Sequence, residues 1–167
     1  MISLRPASSE DYQEIRKLNR RAFAGAEEAD LVDSLRSGGH AVLELVAEHA
    51  GRIVGHILFS ELPIVCAGRT IPAAALAPMA VEPAEQRRGI GGALIHMSIP
   101  MLAHAGFDAI VVLGHADYYP RFGFSAETAA GLHHPFPPGP HFMALELTPG
   151  VLEGVGGHVK YAPPFGL

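Results

Sequence analysis

An anion-binding loop is predicted at residues 86–93, which read Gln-Arg-Arg-Gly-Ile-Gly-Gly-Ala. The segment follows an apolar run at 73–81 and opens a helical pattern that continues through Leu94 and Met97. The first N–H groups of a helix have no partner within it and lie at the positive end of the helix dipole. Three glycines in four residues let this backbone approach a ligand closely, because no Cβ intervenes. The segment therefore predicts an anion site, most naturally for a diphosphate.

Two common phosphate loops do not fit this segment. The Walker loop ends in Gly-Lys-Ser or Gly-Lys-Thr, and no lysine lies between Lys17 and Lys160. The dinucleotide fingerprint Gly-x-Gly-x-x-Gly joins the first strand and helix of a βαβ unit, with an acidic residue about 20 positions later. Here the spacing is Gln-x-x-Gly-x-Gly, and it lies halfway along the chain.

The spacing and the lead-in Met-Ala-Val-Glu-Pro at 79–83 resemble the acetyl-CoA loop of the GCN5-related N-acetyltransferase (GNAT) superfamily. The resemblance implies that the backbone of the preceding strand pairs with the pantetheine arm and that loop amides hold the pyrophosphate. The side chains of Gln86, Arg87 and Arg88 are implied to orient the loop or to meet the phosphates. The implied cofactor-binding residues are Met79, Ala80, Val81, Gln86, Arg87, Arg88, Gly89, Ile90, Gly91 and Gly92.

A second motif lies downstream of the apolar run at 109–113, where residues 118–124 read Tyr-Tyr-Pro-Arg-Phe-Gly-Phe. Its end is similar to the Tyr-x-x-x-Gly-Phe signature of the same superfamily. The resemblance as a whole covers roughly residues 1–147. It implies that Tyr119, four residues before Gly123, protonates the departing CoA thiolate, since an unperturbed phenol keeps its proton at neutral pH.

Three features of this region bear on that role of Tyr119. Tyr118 is adjacent and competes with Tyr119 for the catalytic role. The alternative interpretation is that both tyrosines are packing aromatics. The asparagine often found upstream in the superfamily is replaced by Gly114-His115, and Pro120 follows the tyrosine directly.

A base that deprotonates the acceptor amine is also needed, either directly or through water. The candidates are Glu61, Glu82, His56 and His115. Strand alternation places His56 on the face of Leu58, which favours a structural histidine, and Glu82 beside Pro83 reads as a solvated residue. The choice among these groups and water stays open.

Composition indicates one globular domain over residues 1–167, with 148–167 as a C-terminal extension. Hydrophobic residues make up 49% of the chain and charged residues 17%, and the formal net charge is −5. Because the basic residues are mostly scattered, nucleic acid is not the expected partner. A single cysteine, Cys66, rules out an intramolecular disulfide, and no signal or membrane-length apolar stretch is present. A cytoplasmic protein is the prediction.

The remaining sequence predicts the elements that position the two motifs. Strands are predicted at 2–5, 41–48, 52–62, 69–81, 109–113 and 142–147, the last being the final strand, with a hairpin at 49–51. A helix capped by Ser8 or Ser9 has its apolar face at Tyr12, Ile15, Leu18, Ala22 and Phe23, and another spans 26–37 with Leu31, Val32 and Leu35 inward. Pro100 predicts a kink in the helix after the loop, or an end near Ile99. The resemblance implies a mixed α/β GNAT fold, with a mostly antiparallel central sheet splayed at the acetyl-CoA site and flanked by helices.

The segment at 133–141, His-His-Pro-Phe-Pro-Pro-Gly-Pro-His, offers three imidazoles for a metal. Neighbouring histidines rarely share one ion without a further fixed ligand, and four prolines make the segment stiff. A surface loop beside the acceptor cleft is therefore favoured, and no metal is expected. The tail from Thr148 is predicted to cover an edge of the domain or to contact a second subunit in a homodimer.

These observations favour an N-acetyltransferase that moves an acetyl group from acetyl-CoA to a primary amine by direct attack. The acceptor is a small-molecule or peptide amine that the sequence does not identify, and neither nucleic acid nor a membrane is an expected partner. Two alternatives stay open: a GNAT-fold protein that binds acyl-CoA without turnover, and a nucleotide-binding regulator.

Overall fold

The computed structural model describes residues Met1–Leu167 and has a mixed α/β fold, with a mostly antiparallel sheet flanked by helices, as predicted. The strands are β1 Ile2–Pro6, β2 Ala41–His49, β3 Arg52–Glu61, β4 Ile64–Cys66, β5 Arg69–Ile71, β6 Ala73–Val81, β7 Ala109–Leu113, β8 Phe142–Glu146 and β9 His158–Val159. The helices are α1 Tyr12–Phe23, α2 Glu27–Ser37 and α3 Ile90–His104. A six-stranded sheet has the order β1-β2-β3-β6-β7-β8, and a three-stranded sheet has the order β5-β4-β9.

The chain divides into two compact units, residues 1–60 with 77–98 and residues 61–76 with 99–167. In the first unit, β1, β2 and β3 form an antiparallel meander. Ala50 and Gly51 make the tight turn between β2 and β3, with φ values of 52° and 74°. Helices α1 and α2 pack together and bury Ile15, Leu18, Ala29, Val32 and Leu35. Four of the predicted apolar positions are less buried: Tyr12, Ala22 and Leu31 are half-buried, and Phe23, at the end of α1, is exposed.

The second unit contains the small sheet and the strand pair β7–β8, which is antiparallel from Ala109↔Glu146 to Leu113↔Phe142. Its core comprises apolar side chains from the strands and from the loops after them: Leu62, Ile64, Ile71, Ala73, Ala75, Ala109, Val111, Ala129, Leu132, Phe142, Ala144, Leu152 and Val159. The pairing of β6 with β7 is parallel and ends at Ala75↔Val111, although β6 continues to Val81.

The single strand predicted at 69–81 is wrong, because the structure divides it into β5 and β6 at Pro72. Proline has no N–H to donate to a neighbouring strand, so it favours a break in the ladder. Residues on the two sides of Pro72 belong to different sheets. Strand β5 pairs with β4 in the small sheet, whereas β6 belongs to the six-stranded sheet and its first residue, Ala73, accepts the N–H of Leu62 at its carbonyl. Strand β8 is also not the last, since β9 follows and pairs with β4.

Helix α3 passes through Pro100 without interruption, so the predicted end near Ile99 is wrong. Proline inside a helix costs about 3 kcal/mol. The helix buries Leu94, Ile95 and Leu102 almost completely on both sides of the proline, and each buried side chain of this size contributes about 1.5–3 kcal/mol. Burial therefore outweighs the lost hydrogen bond. No helix is both long and apolar enough to span a membrane.

Candidate functional site

The glycine-rich loop links β6 to α3 in the first unit, and both of its ends are held. At the strand end, the Glu82 N–H donates to the Val54 carbonyl of β3 at 2.8 Å. At the helix end, α3 lies close against β3, since a Cβ on Gly55 would be 2.7 Å from Cγ2 of Ile90. The first hydrogen bond of the helix runs from Ala93 N–H to Gly89 O at 2.9 Å. The amides of residues 90–92 therefore precede the helical ladder and are available to an anion.

The backbone of the loop adopts a conformation suited to an anion. Arg87 and Gly89 have positive φ values of 67° and 80° on either side of Arg88. Arg88 between them has no positive φ, and such alternation in the sign of φ can point successive N–H groups to one side, as in a concave anion-binding nest. A left-handed arginine costs about 1–2 kcal/mol relative to its ordinary conformation, and such strain concentrates at functional sites. The geometry fits the diphosphate that the spacing predicts.

Three polar side chains of the loop have different surroundings. The Gln86 amide donates from Nε2 to the Val81 carbonyl at 3.1 Å, so this side chain closes the loop onto the end of β6. The Arg88 guanidinium pairs with Glu85 at 3.1 Å. The Arg87 side chain is exposed and takes part in none of the ion pairs. Gln86 thus ties the loop to the end of β6, and Arg87 carries the positive charge that no carboxylate of the loop balances.

Glu82, a base candidate, is the partner of an arginine rather than the solvated residue that the sequence suggested. Its carboxylate accepts from Arg21 at 2.6 Å and 3.1 Å, and its side chain is 13% exposed. The pair connects the last turn of α1 to the residue that opens the loop. The carboxylate oxygens are engaged in charge-assisted hydrogen bonds, so Glu82 supports the loop structurally.

His56 is a structural histidine, as its strand position predicted. The ring is fully buried, with Nε2 at 2.7 Å from Glu44 and Nδ1 at 3.2 Å from the Asn19 amide nitrogen. Because the amide can only donate, Nδ1 accepts and Nε2 carries the proton. Burial lowers the pKa of His56, against the opposing effect of Glu44. Burial raises the pKa of Glu44, but hydrogen bonds from His56 and Arg36 overcome it and leave that pKa below its usual value.

Tyr119 begins a short 3₁₀ turn in the second unit, and this turn ends at Gly123 with a φ of 97°. The tyrosine is 8% exposed and meets Tyr118 and Phe124 edge to face at 5.1 Å and 5.7 Å. Burial, with a smaller contribution from Tyr118, raises the pKa of Tyr119 to about 12. The phenol therefore keeps its proton at neutral pH, as an acid for the thiolate must.

Gly114, the residue at which this chain departs from the superfamily pattern, makes room for the ring of Tyr119. A Cβ on Gly114 would lie 2.4 Å from Cε2 of that ring, well inside van der Waals contact. A side chain at this position and the observed tyrosine conformation therefore exclude each other. The sequence showed Gly114 where the superfamily often has an asparagine. Only the structure shows that the tyrosine ring occupies the space of a side chain at this position.

The three histidines of the 133–141 segment have separate partners. His133 stacks on His158 at 4.7 Å between ring centroids, and His134 stacks on Phe142 at 3.9 Å. The Nδ1 atom of His141 is 3.0 Å from the Gly114 carbonyl. No three histidine, cysteine or acidic side chains of the molecule are grouped as metal ligands. The segment is a surface loop in which two imidazoles stack on other rings and the third is hydrogen-bonded to the backbone.

The predicted site residues fall into two groups. Residues 79–81 and 86–92 lie together in the first unit, whereas Tyr119 lies in the second. Of the other base candidates, Glu61 is the exposed last residue of β3, and the His115 carbonyl accepts the N–H groups of Tyr118 and Tyr119.

Comparisons with known proteins agree with the geometry. The acetyltransferase (GNAT) domain family matches residues 3–126. The uncharacterised N-acetyltransferase YjhQ of Escherichia coli K12 is 38% identical over 161 residues, covering 92% of this chain and 88% of that protein. The related YhbS is 35% identical and covers 93% of both chains. The crystal structure of E. coli YhbS with CoA matches with a TM-score of 0.90 at 31% identity, covering 99% of this chain and 92% of YhbS. A Brucella melitensis GNAT family acetyltransferase with acetyl-CoA matches at 0.81 and 34% identity, covering 99% and 98% of the two chains.

Proposed function

Because this chain belongs to the GNAT family of N-acetyltransferases, we propose that it transfers the acetyl group of acetyl-CoA directly to a primary amine. The observation that carries the proposal is the nest at Arg87 and Gly89, followed by the open amides at the start of α3. This backbone has the shape and polarity that a diphosphate requires. The similar Brucella melitensis protein was crystallised with acetyl-CoA, which supports the same donor here.

The donor binds along two segments of the first unit. Amides of Arg87, Arg88, Gly89, Ile90, Gly91 and Gly92 hold the pyrophosphate, and the free guanidinium of Arg87 adds a charge-assisted contact. Gln86 supports the loop through its hydrogen bond to the Val81 carbonyl. The backbone of Met79, Ala80 and Val81 lines the pantetheine arm, a role supported by the end of the β6–β7 pairing at Ala75.

The chemistry is direct attack of the amine nitrogen on the thioester carbonyl. A C–N bond forms, the C–S bond breaks, and Tyr119 gives its phenolic proton to the departing sulfur. The high pKa of Tyr119 keeps that proton in place until the thiolate develops. A covalent acyl-enzyme is not needed, and Cys66 is poorly placed for one, since its Sγ is held against the carbonyl of Ile64 in β4.

The test is an amine panel incubated with acetyl-CoA, with free CoA measured by a thiol reagent and products by mass spectrometry. The panel contains spermidine, an aminoglycoside, a short peptide with a free N-terminus, and benzylamine. We expect one acetyl group on the amine of at least one class, together with one equivalent of CoA. Tight binding of acetyl-CoA without transfer to any class would instead identify an acyl-CoA-binding protein. An acetylated product that forms only through an acetyl-enzyme would refute direct attack.

We propose, further, that residues 1–167 act as one catalytic domain. The family match ends at residue 126, but YhbS and this chain align over 93% of both lengths, a larger share of this chain than residues 1–147 make up. Limited proteolysis within 148–167 that leaves acetyl transfer unchanged would count against a role for the tail.

A further inference from the structure

His141 presents one free ring nitrogen in a fixed orientation. The residue follows the proline-rich loop and directly precedes β8, and its ring is exposed. Two hydrogen bonds join it to Gly114: the Gly114 N–H donates to the His141 carbonyl at 2.9 Å, and the His141 Nδ1 lies 3.0 Å from the Gly114 carbonyl. A carbonyl only accepts, so Nδ1 carries the proton and Nε2 of the neutral ring holds a lone pair. A carbonyl that sets the tautomer in this way is a common arrangement behind catalytic histidines.

The same glycine is the residue that faces Tyr119. The Cβ position of Gly114 is 2.4 Å from Cε2 and 3.4 Å from Cζ of Tyr119, and Cζ bears the hydroxyl. The imidazole of His141 and the hydroxyl end of Tyr119 therefore flank one residue. Two of the other base candidates are already engaged with partners. His56 is fully buried on Glu44, and Glu82 is held by Arg21.

From this geometry we propose that His141 is the general base that deprotonates the acceptor amine. The inference rests on the proposed function, in which Tyr119 marks the position of the reacting sulfur. Nε2 of His141 takes one proton from the ammonium group, and the neutral amine then attacks the thioester carbonyl. The attacking nitrogen then loses a second proton, and this proton restores the phenol of Tyr119 after the phenol has protonated the sulfur. The imidazolium returns its proton to water, so each turnover yields amide, CoA thiol and one released proton.

Other titratable and charged groups lie on the two segments that contain Gly114 and His141, and they bear on the pH dependence of this step. The segment that contains Gly114 carries His115, Asp117, Tyr118, Tyr119 and Arg121, and the loop before β8 carries His133 and His134. His115 is the nearest competitor in chemistry, because it adjoins Gly114 and is also exposed. The hydrogen bonds of His115 involve its backbone carbonyl, and none of them orients the imidazole.

The kinetic test uses His141→Asn, because an asparagine amide can still donate to the Gly114 carbonyl but has no basic nitrogen. The probes are benzylamine, which is an ammonium ion at neutral pH, and aniline, which is uncharged and needs no prior deprotonation. We expect the variant to lower kcat about 100-fold with benzylamine and less than threefold with aniline. The KM for acetyl-CoA should stay within twofold, and raising the pH should restore the benzylamine rate. Equal losses with both amines would overturn the proposal, because a positioning defect affects both.

His115→Asn is the matched control and should leave both rates within twofold. A loss of the benzylamine rate in this variant, with His141→Asn unaffected, would transfer the role to His115 and overturn the proposal. A measurement independent of turnover is ¹⁵N NMR of the imidazoles in the wild-type protein. The neutral ring of His141 should be protonated at Nδ1, and protonation at Nε2 would overturn the proposal. Absence of transfer to every amine by the wild-type protein would refute the proposed function, and the NMR result would still decide the tautomer.

Discussion

The substitution Gly89→Ala tests whether the loop backbone must approach a ligand closely. Gly89 has a φ of 80°, and no atom lies within 4 Å of the place where a Cβ would be. The added methyl therefore meets no protein atom, and the cost to the free protein is conformational. A left-handed alanine costs about 1–2 kcal/mol relative to glycine. For a chain of this size each kcal/mol lowers Tm by about 2–4 °C.

The matched control is Gly39→Ala at the end of α2. Gly39 has a φ of 76°, is exposed, and likewise has nothing within 4 Å of its Cβ position. The two substitutions should lower Tm by similar amounts in the absence of ligand. Only Gly89 lies in the phosphate loop, where the methyl would hold the pyrophosphate away from the amides. Loss of one hydrogen bond to a charged group costs about 1.5–3 kcal/mol, which corresponds to a 10- to 100-fold weaker Kd.

Differential scanning fluorimetry measures the two Tm values, and isothermal titration calorimetry measures CoA binding to each variant. Gly39→Ala should bind CoA like the wild-type protein. The comparison therefore separates the conformational cost of a left-handed alanine from the loss of contact with the ligand. A Gly89→Ala protein that binds CoA with unchanged affinity would refute the close approach, and with it the proposed pyrophosphate site.

Other predictions address the tyrosine, the loop support and the buried histidine. Tyr119→Phe should lower kcat about 100-fold with the KM for acetyl-CoA within twofold in steady-state assays, whereas an unchanged kcat would remove Tyr119 from the chemistry. Gln86→Met removes the hydrogen bond to Val81, worth about 0.5–1.5 kcal/mol, so KM for acetyl-CoA should rise about 2- to 10-fold at constant kcat. The folded pKa of His56 is lowered from 6.5, so the unfolded chain binds more protons below that pH. The stability contributed by neutral His56 is complete above pH 6.5 and is lost as pH falls through the folded pKa, by at most about 1.4 kcal/mol per pH unit. Urea unfolding at several pH values checks this, and a stability that rises on acidification from pH 7 to 5 would contradict it.

The long elements could be read from the sequence because each carries its own periodic signal. Helix α1 and strand β7 end where the patterns at 12–23 and 109–113 end. The short strands β4, β5 and β9 carry no such signal, since each has three residues or fewer. Strands this short are stabilised by their partners rather than by their own propensity. The partner of β4 at the tail is more than 90 positions away, so no local pattern reveals it.

The candidate site divides in the same way. The loop at 86–92 and the tyrosine turn are contiguous segments, so their residue types and spacing were sufficient to predict them. The supporting contacts are not contiguous. Glu82 is paired with a residue 61 positions earlier, and His141 with a residue 27 positions earlier. The sequence suggested a solvated Glu82 and a surface loop at 133–141, and it contains no information about the partners of these side chains.

What the sequence determined by itself is the family and the glycine-rich loop before α3, because both depend on the residue types of consecutive positions. A run of glycines before a helix exposes amides wherever the helix lies. The tertiary structure decided which polar side chains are engaged in ion pairs or hydrogen bonds and which keep a free acceptor atom. It placed Arg21 on Glu82, buried His56 on Glu44, and left the ring of His141 oriented by Gly114. Those outcomes depend on distances between residues far apart in the chain, and only the packed fold sets such distances.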